Sequence, residues 1–224
     1  MKKILFLILA AFCSYTYTYG QDITGAANLK KYAEANAKLT KKVVFLGNSI
    51  TEGWVKARPD FFDSNNYVGR GISGQTSPQL LLRFRQDVIN LSPVAVVINI
   101  GTNDIARNTG AYDPQFTMDC IQSMAELARY NGIKVILTSV LPVGEYPWKK
   151  EITNVPQIID ELNGRIKRFA EASGFTYVDY NAPMRDANGG MKEGLASDGV
   201  HPTEEGYKMM EGIIKEVIDR VIEF

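Results

Sequence analysis

The sequence predicts an α/β protein with three layers, α/β/α, around a parallel sheet of about five strands. Three observations carry that expectation. Short apolar runs of strand length recur without a polar face: VVFLG (43–47), VAVVINIG (94–101) and KVILTSV (134–140). Strands with no solvent face belong to sheets covered on both sides, and such sheets are mostly parallel. The intervals between the runs contain longer stretches with helical spacing, which parallel crossovers need. Runs and amphipathic stretches then alternate to the end of the chain, the order of a sheet with helices on both faces.

The elements follow in chain order. Residues 1–20 stand apart: MKK is positive, ILFLILAAFC is apolar and SYTYTYG follows. This reads as a secretory signal peptide with cleavage before Gln21. The apolar run is well short of the ~20 residues that span a bilayer. A secreted or periplasmic protein with no stable membrane insertion after cleavage is therefore expected. Residues 21–224 read as a single domain, long enough to bury a substantial core.

VVFLG is the first strand and NYVGRGIS (66–73) the second. PQLLLRFRQDVINL (78–91) reads as a helix, and VAVVINIG as the third strand. FTMDCIQSMAELARYNG (116–132) is helical and stops at Asn131–Gly132. KVILTSV is the fourth strand. VPQIIDELNGRIKRFAEASG (155–174) is a helix with Ile158, Leu162, Ile166 and Phe169 on one face. FTYVDY (175–180) is the fifth strand. The last helix carries Tyr207, Met210, Ile214, Val217 and Val221 along one stripe.

Composition narrows the partners. The 25 basic and 25 acidic residues cancel, with no basic block, so no nucleic-acid partner is expected. Signal cleavage removes Cys13 and leaves Cys120, which reads as a buried structural thiol without a disulfide partner.

Sites in open α/β sheets form beyond the carboxyl ends of the strands. Four clusters stand there. In GNSITEGW (47–54), Ser49 and Glu52 fit a capping box. A serine at a helix start also sits among free N–H groups, a suitable place for a nucleophile whose attack creates an oxyanion. The two roles compete for one hydroxyl. In RGISGQTS (70–77), Gly74 lets its N–H approach a ligand, and Ser77 is placed to cap the next helix. In GTNDI (101–105), Asn103 and Asp104 fit a turn, but the Asn103 amide can also donate to a developing negative charge. SDGVHPTEEG (197–206) holds His201, the only imidazole of the chain, three residues after Asp198. That spacing allows the carboxylate to orient the ring.

Each cluster has an ordinary structural explanation. Their conjunction is the parts list of acyl transfer: nucleophile, base, orienting acid and oxyanion donors. One histidine and scattered carboxylates leave no metal-ligand set, so no metal is expected.

GNSIT, the glycine of GISGQT, the asparagine of GTND and the DGVHP pair, in this order, resemble the four blocks of the SGNH hydrolases, the GDSL-like esterase/lipase family. The resemblance implies a flavodoxin-like fold. It implies Ser49 as nucleophile, His201 as base and Asp198 as its partner. It also implies an oxyanion hole made by the Ser49 N–H, the Gly74 N–H and the Asn103 side chain, with no cofactor. One departure is Asn48, where the family has an aspartate. Thr51 occupies the second glycine position of G-x-S-x-G, which argues against the larger α/β-hydrolase fold.

The expected activity is a secreted serine esterase that cleaves small-molecule or carbohydrate esters. Aromatic side chains point to small acyl groups such as acetyl on sugars: Tyr146 and Trp148 in the long connection 141–156, and Trp54 beyond the nucleophile. Alternatives are a lysophospholipase or thioesterase on lipid-like acyl substrates, and a non-catalytic glycan-binding module on the same scaffold. A flavin protein finds no supporting feature. Acyl length, alcohol portion and oligomeric state stay open.

Overall fold

A computed structural model describes residues 22–37, 39 and 42–223. The segment read as a signal peptide lies outside the described residues. The described residues begin with two short helices, α1 (Ile23–Ala27) and α2 (Lys30–Asn36), and enter β1 (Val43–Gly47). Then come α3 (Ser49–Ala57), α4 (Pro59–Ser64), β2 (Tyr67–Gly71), α5 (Ser77–Asp87) and β3 (Ala95–Asn99). The short α6 (Thr102–Ile105) and long α7 (Pro114–Tyr130) lead to β4 (Lys134–Thr138). The remainder is α8 (Val155–Ser173), β5 (Thr176–Val178), α9 (Asn181–Met184) and α10 (Glu204–Glu223).

The five strands form one sheet in the order β2-β1-β3-β4-β5. Every pairing is parallel, with Val43 opposite both Tyr67 and Ala95. Alternate side chains feed two cores. Val44, Leu46, Val96, Ile98, Val135 and Leu137 face α5, α7 and α8. Val43, Phe45, Ala95, Val97, Ile136 and Val178 face α3, α4 and α10. Burial on both faces explains why the strands read as unbroken apolar runs. The winding direction changes between β1 and β3. In such sheets the ligand crevice lies beyond the strand ends at that point.

Two stripes differ slightly from the sequence expectation. On α8 the buried line is Val155, Ile159, Leu162, Ile166 and Ala170, and Ile158 and Phe169 flank it half-buried. On α10 the line is Tyr207, Met210, Ile214 and Ile218, flanked by Val217 and Val221. In both helices the contact face is wide enough to take flanking residues. Cys120 is buried and unpaired.

A buried guanidinium ties the strand ends together. Arg83, on α5, is fully inaccessible. Its Nη2 donates to the carbonyls of Gly47 and Arg70, each at 2.9 Å. Its Nε donates to Gln75 Oε1 at 2.7 Å, and Nη1 pairs with Asp87 at 2.8 Å. Burial pulls its pKa down, and the bond and charge of Asp87 oppose that pull. One side chain thus joins the ends of β1 and β2 to the loop that follows β2.

Candidate active site

The first cluster sits where β1 becomes α3. Asn48 is the cap: its Oδ1 accepts from the Ile50 N–H at 3.0 Å. This corrects the expectation that Ser49 caps α3 in a box with Glu52. Ser49 is the first helical residue, and the Glu52 carboxylate turns away to Ser73. The substitution of asparagine for the family's aspartate keeps the capping oxygen. The Ser49 hydroxyl, relieved of capping, lies 2.9 Å from His201 Nε2.

The loop after β2 is pressed against the start of α3. A Cβ on Gly71 would lie 2.2 Å from Glu52 N and 2.6 Å from Asn48 O. The Ile72 N–H donates to Gly47 O at 3.2 Å. Gly74 takes φ +78°, a left-handed conformation that glycine adopts without penalty. Ser77 does not cap α5. Thr76 takes that place, with Gln79 reaching back to its N–H at 2.9 Å. Ser77 instead donates its N–H and hydroxyl to Asp104, at 3.0 and 2.6 Å.

The third cluster begins at Gly101, where φ is +128° and a Cβ would meet Val140 and Leu162. Asn103 is buried on α6, and its Nδ2 donates to Gln75 O at 3.0 Å. A second amide hydrogen remains for a ligand. Asn108 Nδ2 donates to Gly74 O at 3.2 Å. The Ser49 and Gly74 N–H groups find no carbonyl partner among the described residues. Those two N–H groups and the Asn103 amide are thus carried by segments bonded to one another.

The fourth cluster is a closed turn. The Ser197 N–H donates to His201 O at 2.9 Å, and Ala196 bridges Pro202. Asp198 Oδ1 accepts from the N–H groups of Val200 and His201, at 3.0 and 2.8 Å. Its Oδ2 lies 2.7 Å from His201 Nδ1. Burial works against ionisation of Asp198, but these N–H groups and the imidazole together hold its pKa below the usual carboxylate value. An ionised Asp198 only accepts, so Nδ1 carries the proton and Nε2 offers its lone pair to Ser49. Helix α10 seats the turn. Tyr207 Oη donates to Ile50 O at 2.9 Å, and Glu211 binds Trp54 Nε1 at 3.1 Å and Arg58 Nε at 3.0 Å.

The aromatic expectations divide. Trp54 is not available to a substrate. It is 2 % exposed, stacked between Phe61 and Tyr207, with an edge to Phe45. Four residues from buried Ile50, it lies on the inner face of α3, and that spacing was the available signal. Tyr146 is also fully buried, and burial pushes its pKa upward. It supports Trp148 from below, with ring centroids 5.5 Å apart. Trp148 is 42 % exposed and stacks beside the His201 ring at 6.1 Å and 29°.

Asp104 predicts a pH signature. Burial pushes its pKa up to about 6, against the bonds from Ser77 that would lower it. The folded chain therefore holds this proton in a window where the unfolded chain has lost it. Stability from this group is full below the unfolded value of 3.8 and declines as pH rises to about 6. In Asp104→Asn, the melting temperature measured from pH 4 to 6 is expected to lose that downward component.

The chain is a carboxylic ester hydrolase domain. It belongs to the GDSL-like lipase/acylhydrolase family, whose sequence model matches residues 45–209. A GDSL-like lipase from Bacteroides thetaiotaomicron is 56 % identical, with TM-score 0.85, over 87 % of this chain and 98 % of that structure. An acetylxylan esterase of Xylanibacter ruminicola is 26 % identical over 212 residues, 79 % of this chain and 43 % of the relative. The chain thus spans less than half of that relative's length. An acetylxylan esterase of Geobacillus stearothermophilus is 26 % identical over 201 residues, 76 % of this chain and 90 % of the relative.

Proposed function

We propose that the protein is an exported serine esterase that removes small acyl groups, acetyl above all, from carbohydrate. The observation that carries the chemistry is the unbroken line from Ser49 Oγ to His201 Nε2 at 2.9 Å and from Nδ1 to Asp198 at 2.7 Å. Ser49 attacks the ester carbonyl as His201 takes its proton. Asp198 stabilises the imidazolium. The N–H groups of Ser49 and Gly74 and the Asn103 amide receive the oxyanion. His201 then protonates the leaving alcohol. Water, activated by the same ring, releases the acid from the acyl-enzyme.

Carbohydrate is favoured by Trp148, a half-exposed indole beside the imidazole, where a sugar ring can lie flat. The acetylxylan esterase names of two relatives support the same class. Export is supported by the positive start and apolar run of residues 1–20. Turnover of acetylated xylo-oligosaccharides, beside p-nitrophenyl esters of increasing acyl length, tests this reading. Rates that climb with acyl length, and no acetate release from sugars, would replace it with a lipid-acyl hydrolase.

Trp148→Ala is expected to raise KM for acetylated oligosaccharides several-fold, from the loss of the flat apolar face on which a sugar ring would lie. KM for p-nitrophenyl acetate should stay near wild type. Equal changes for both substrates would remove Trp148 from sugar recognition.

A further inference from the structure

Glu52 stands one helical turn from Ser49, and its carboxylate does not cap its own helix. Oε2 accepts from the Ser73 N–H at 2.8 Å and from the Ser73 hydroxyl at 2.7 Å. Oε1 is held by Lys31 at 2.9 Å and Lys56 at 3.0 Å. We propose that Glu52 is a positioning residue for the oxyanion donor: it clamps Ser73 and thereby fixes the peptide that carries the Gly74 N–H. The proposal rests on the esterase reading above.

The loop explains why a clamp is needed. Gly74 has φ +78°, and no atom lies within 4 Å of where its Cβ would stand. No side-chain packing on that side helps to hold the peptide, so its orientation depends on hydrogen bonds. The flanking residues are anchored elsewhere: Ile72 to Gly47 O, Gly74 O to Asn108, and Gln75 O to Asn103. Both Ser73 bonds among the described residues go to Glu52. The peptide between Ser73 and Gly74 lies in a turn closed by the Gln75 N–H on Ile72 O at 3.3 Å, and within that turn Glu52 holds it from one side and Asn108 from the other.

The choice of anchor has a geometric consequence. Ser49 and Glu52 share the first turn of α3, so one rigid segment sets both the nucleophile and the oxyanion N–H. Their separation then depends on a single helical turn rather than on loop conformation. A carboxylate so near an oxyanion would oppose the reaction if left bare. Lys31 and Lys56 neutralise it. Although burial disfavours its charge, the bonds from Lys31, Ser73 and Lys56 lower its pKa to about 2, so the clamp stays ionised.

The test compares wild type with Glu52→Gln and Glu52→Ala. A donor displaced by a fraction of an ångström should lower kcat about 10- to 100-fold, with KM within about twofold. Affinity for a trifluoromethyl ketone that mimics the tetrahedral state should fall by the same factor as kcat. Affinity for the product acid should not. Amide exchange at Ser73 should quicken in Glu52→Ala and less in Glu52→Gln, whose amide oxygen can still accept. Adding Ser73→Ala to Glu52→Ala should cost nothing further, because the two act as one unit. Glu52→Ala, which removes the acceptor that glutamine would retain, with wild-type kcat and analogue affinity would overturn the proposal, and so would unchanged exchange at Ser73 in that variant. Wild-type protein inert toward every ester would instead sink the esterase reading, and Ser73 exchange would still decide the clamp.

Discussion

Ser49→Ala is expected to lower kcat for ester hydrolysis by about 10⁴-fold or more while the fold stays intact. Only the attacking oxygen is lost. Asn48, not Ser49, caps α3, so the helix start keeps its hydrogen bond. The melting temperature should stay close to wild type. The oxyanion donors remain, which leaves a residual rate above the uncatalysed reaction. His201→Ala should fall on the same scale, and the double variant should be little worse than either single change. Steady-state turnover of p-nitrophenyl acetate reads the loss. A serine-directed phosphonate, followed by intact mass, reads the nucleophile directly: wild type gains the adduct and Ser49→Ala does not. Wild-type-like turnover by purified Ser49→Ala would overturn the assignment of the nucleophile.

The second large effect is on stability. Arg83→Met should cost about 3–5 kcal/mol, because a buried charge pair is broken from one side. The thioether matches the arginine stem but donates nothing. Gly47 O, Arg70 O and Gln75 Oε1 all lose their guanidinium donor. Asp87 keeps only neutral amide donors, Asn36 at 2.8 Å and Gln86 at 3.4 Å, with the carboxylate still buried. Urea denaturation measures the cost. Arg83→Met with Asp87→Leu should recover much of it, since apolar residues replace such pairs at small penalty. An Arg83→Met variant as stable as wild type would show that the buried network contributes little.

The sheet was legible because the central strands β1, β3 and β4 are buried on both faces, so their cores VVFL, AVVI and VIL carry no polar residue, whereas β2 holds Arg70 and β5 is half-buried. The Asp198–His201 pair was legible because three residues of separation leave little else for a tight turn to do. Ser49 was legible as a residue but not in its local role. Asn48 and Ser49 both suit a cap, and backbone angles decide between them. Trp54 misled because closeness in sequence to a nucleophile says nothing of direction, and its helix points it inward. Arg83 carried no signal at all, since a charged residue in an amphipathic helix is ordinarily solvated. The helices α1 and α2 were missed for a related reason. Lysines, alanines and asparagines give no apolar stripe, and α2 buries no residue fully. It is held by polar bonds such as Asn36 to Asp87 and Lys31 to Glu52.

Ser49 and His201, 152 positions apart in sequence, meet because α10 docks on α3. On the proposed mechanism, a chain still being synthesised is therefore chemically silent, however well its sheet has formed. Past Leu195, the Asp198–His201 turn is held to the rest of the molecule by α10, whose Tyr207, Met210, Ile214 and Ile218 pack into the core, so on the proposed mechanism loosening of that helix alone would disarm the serine.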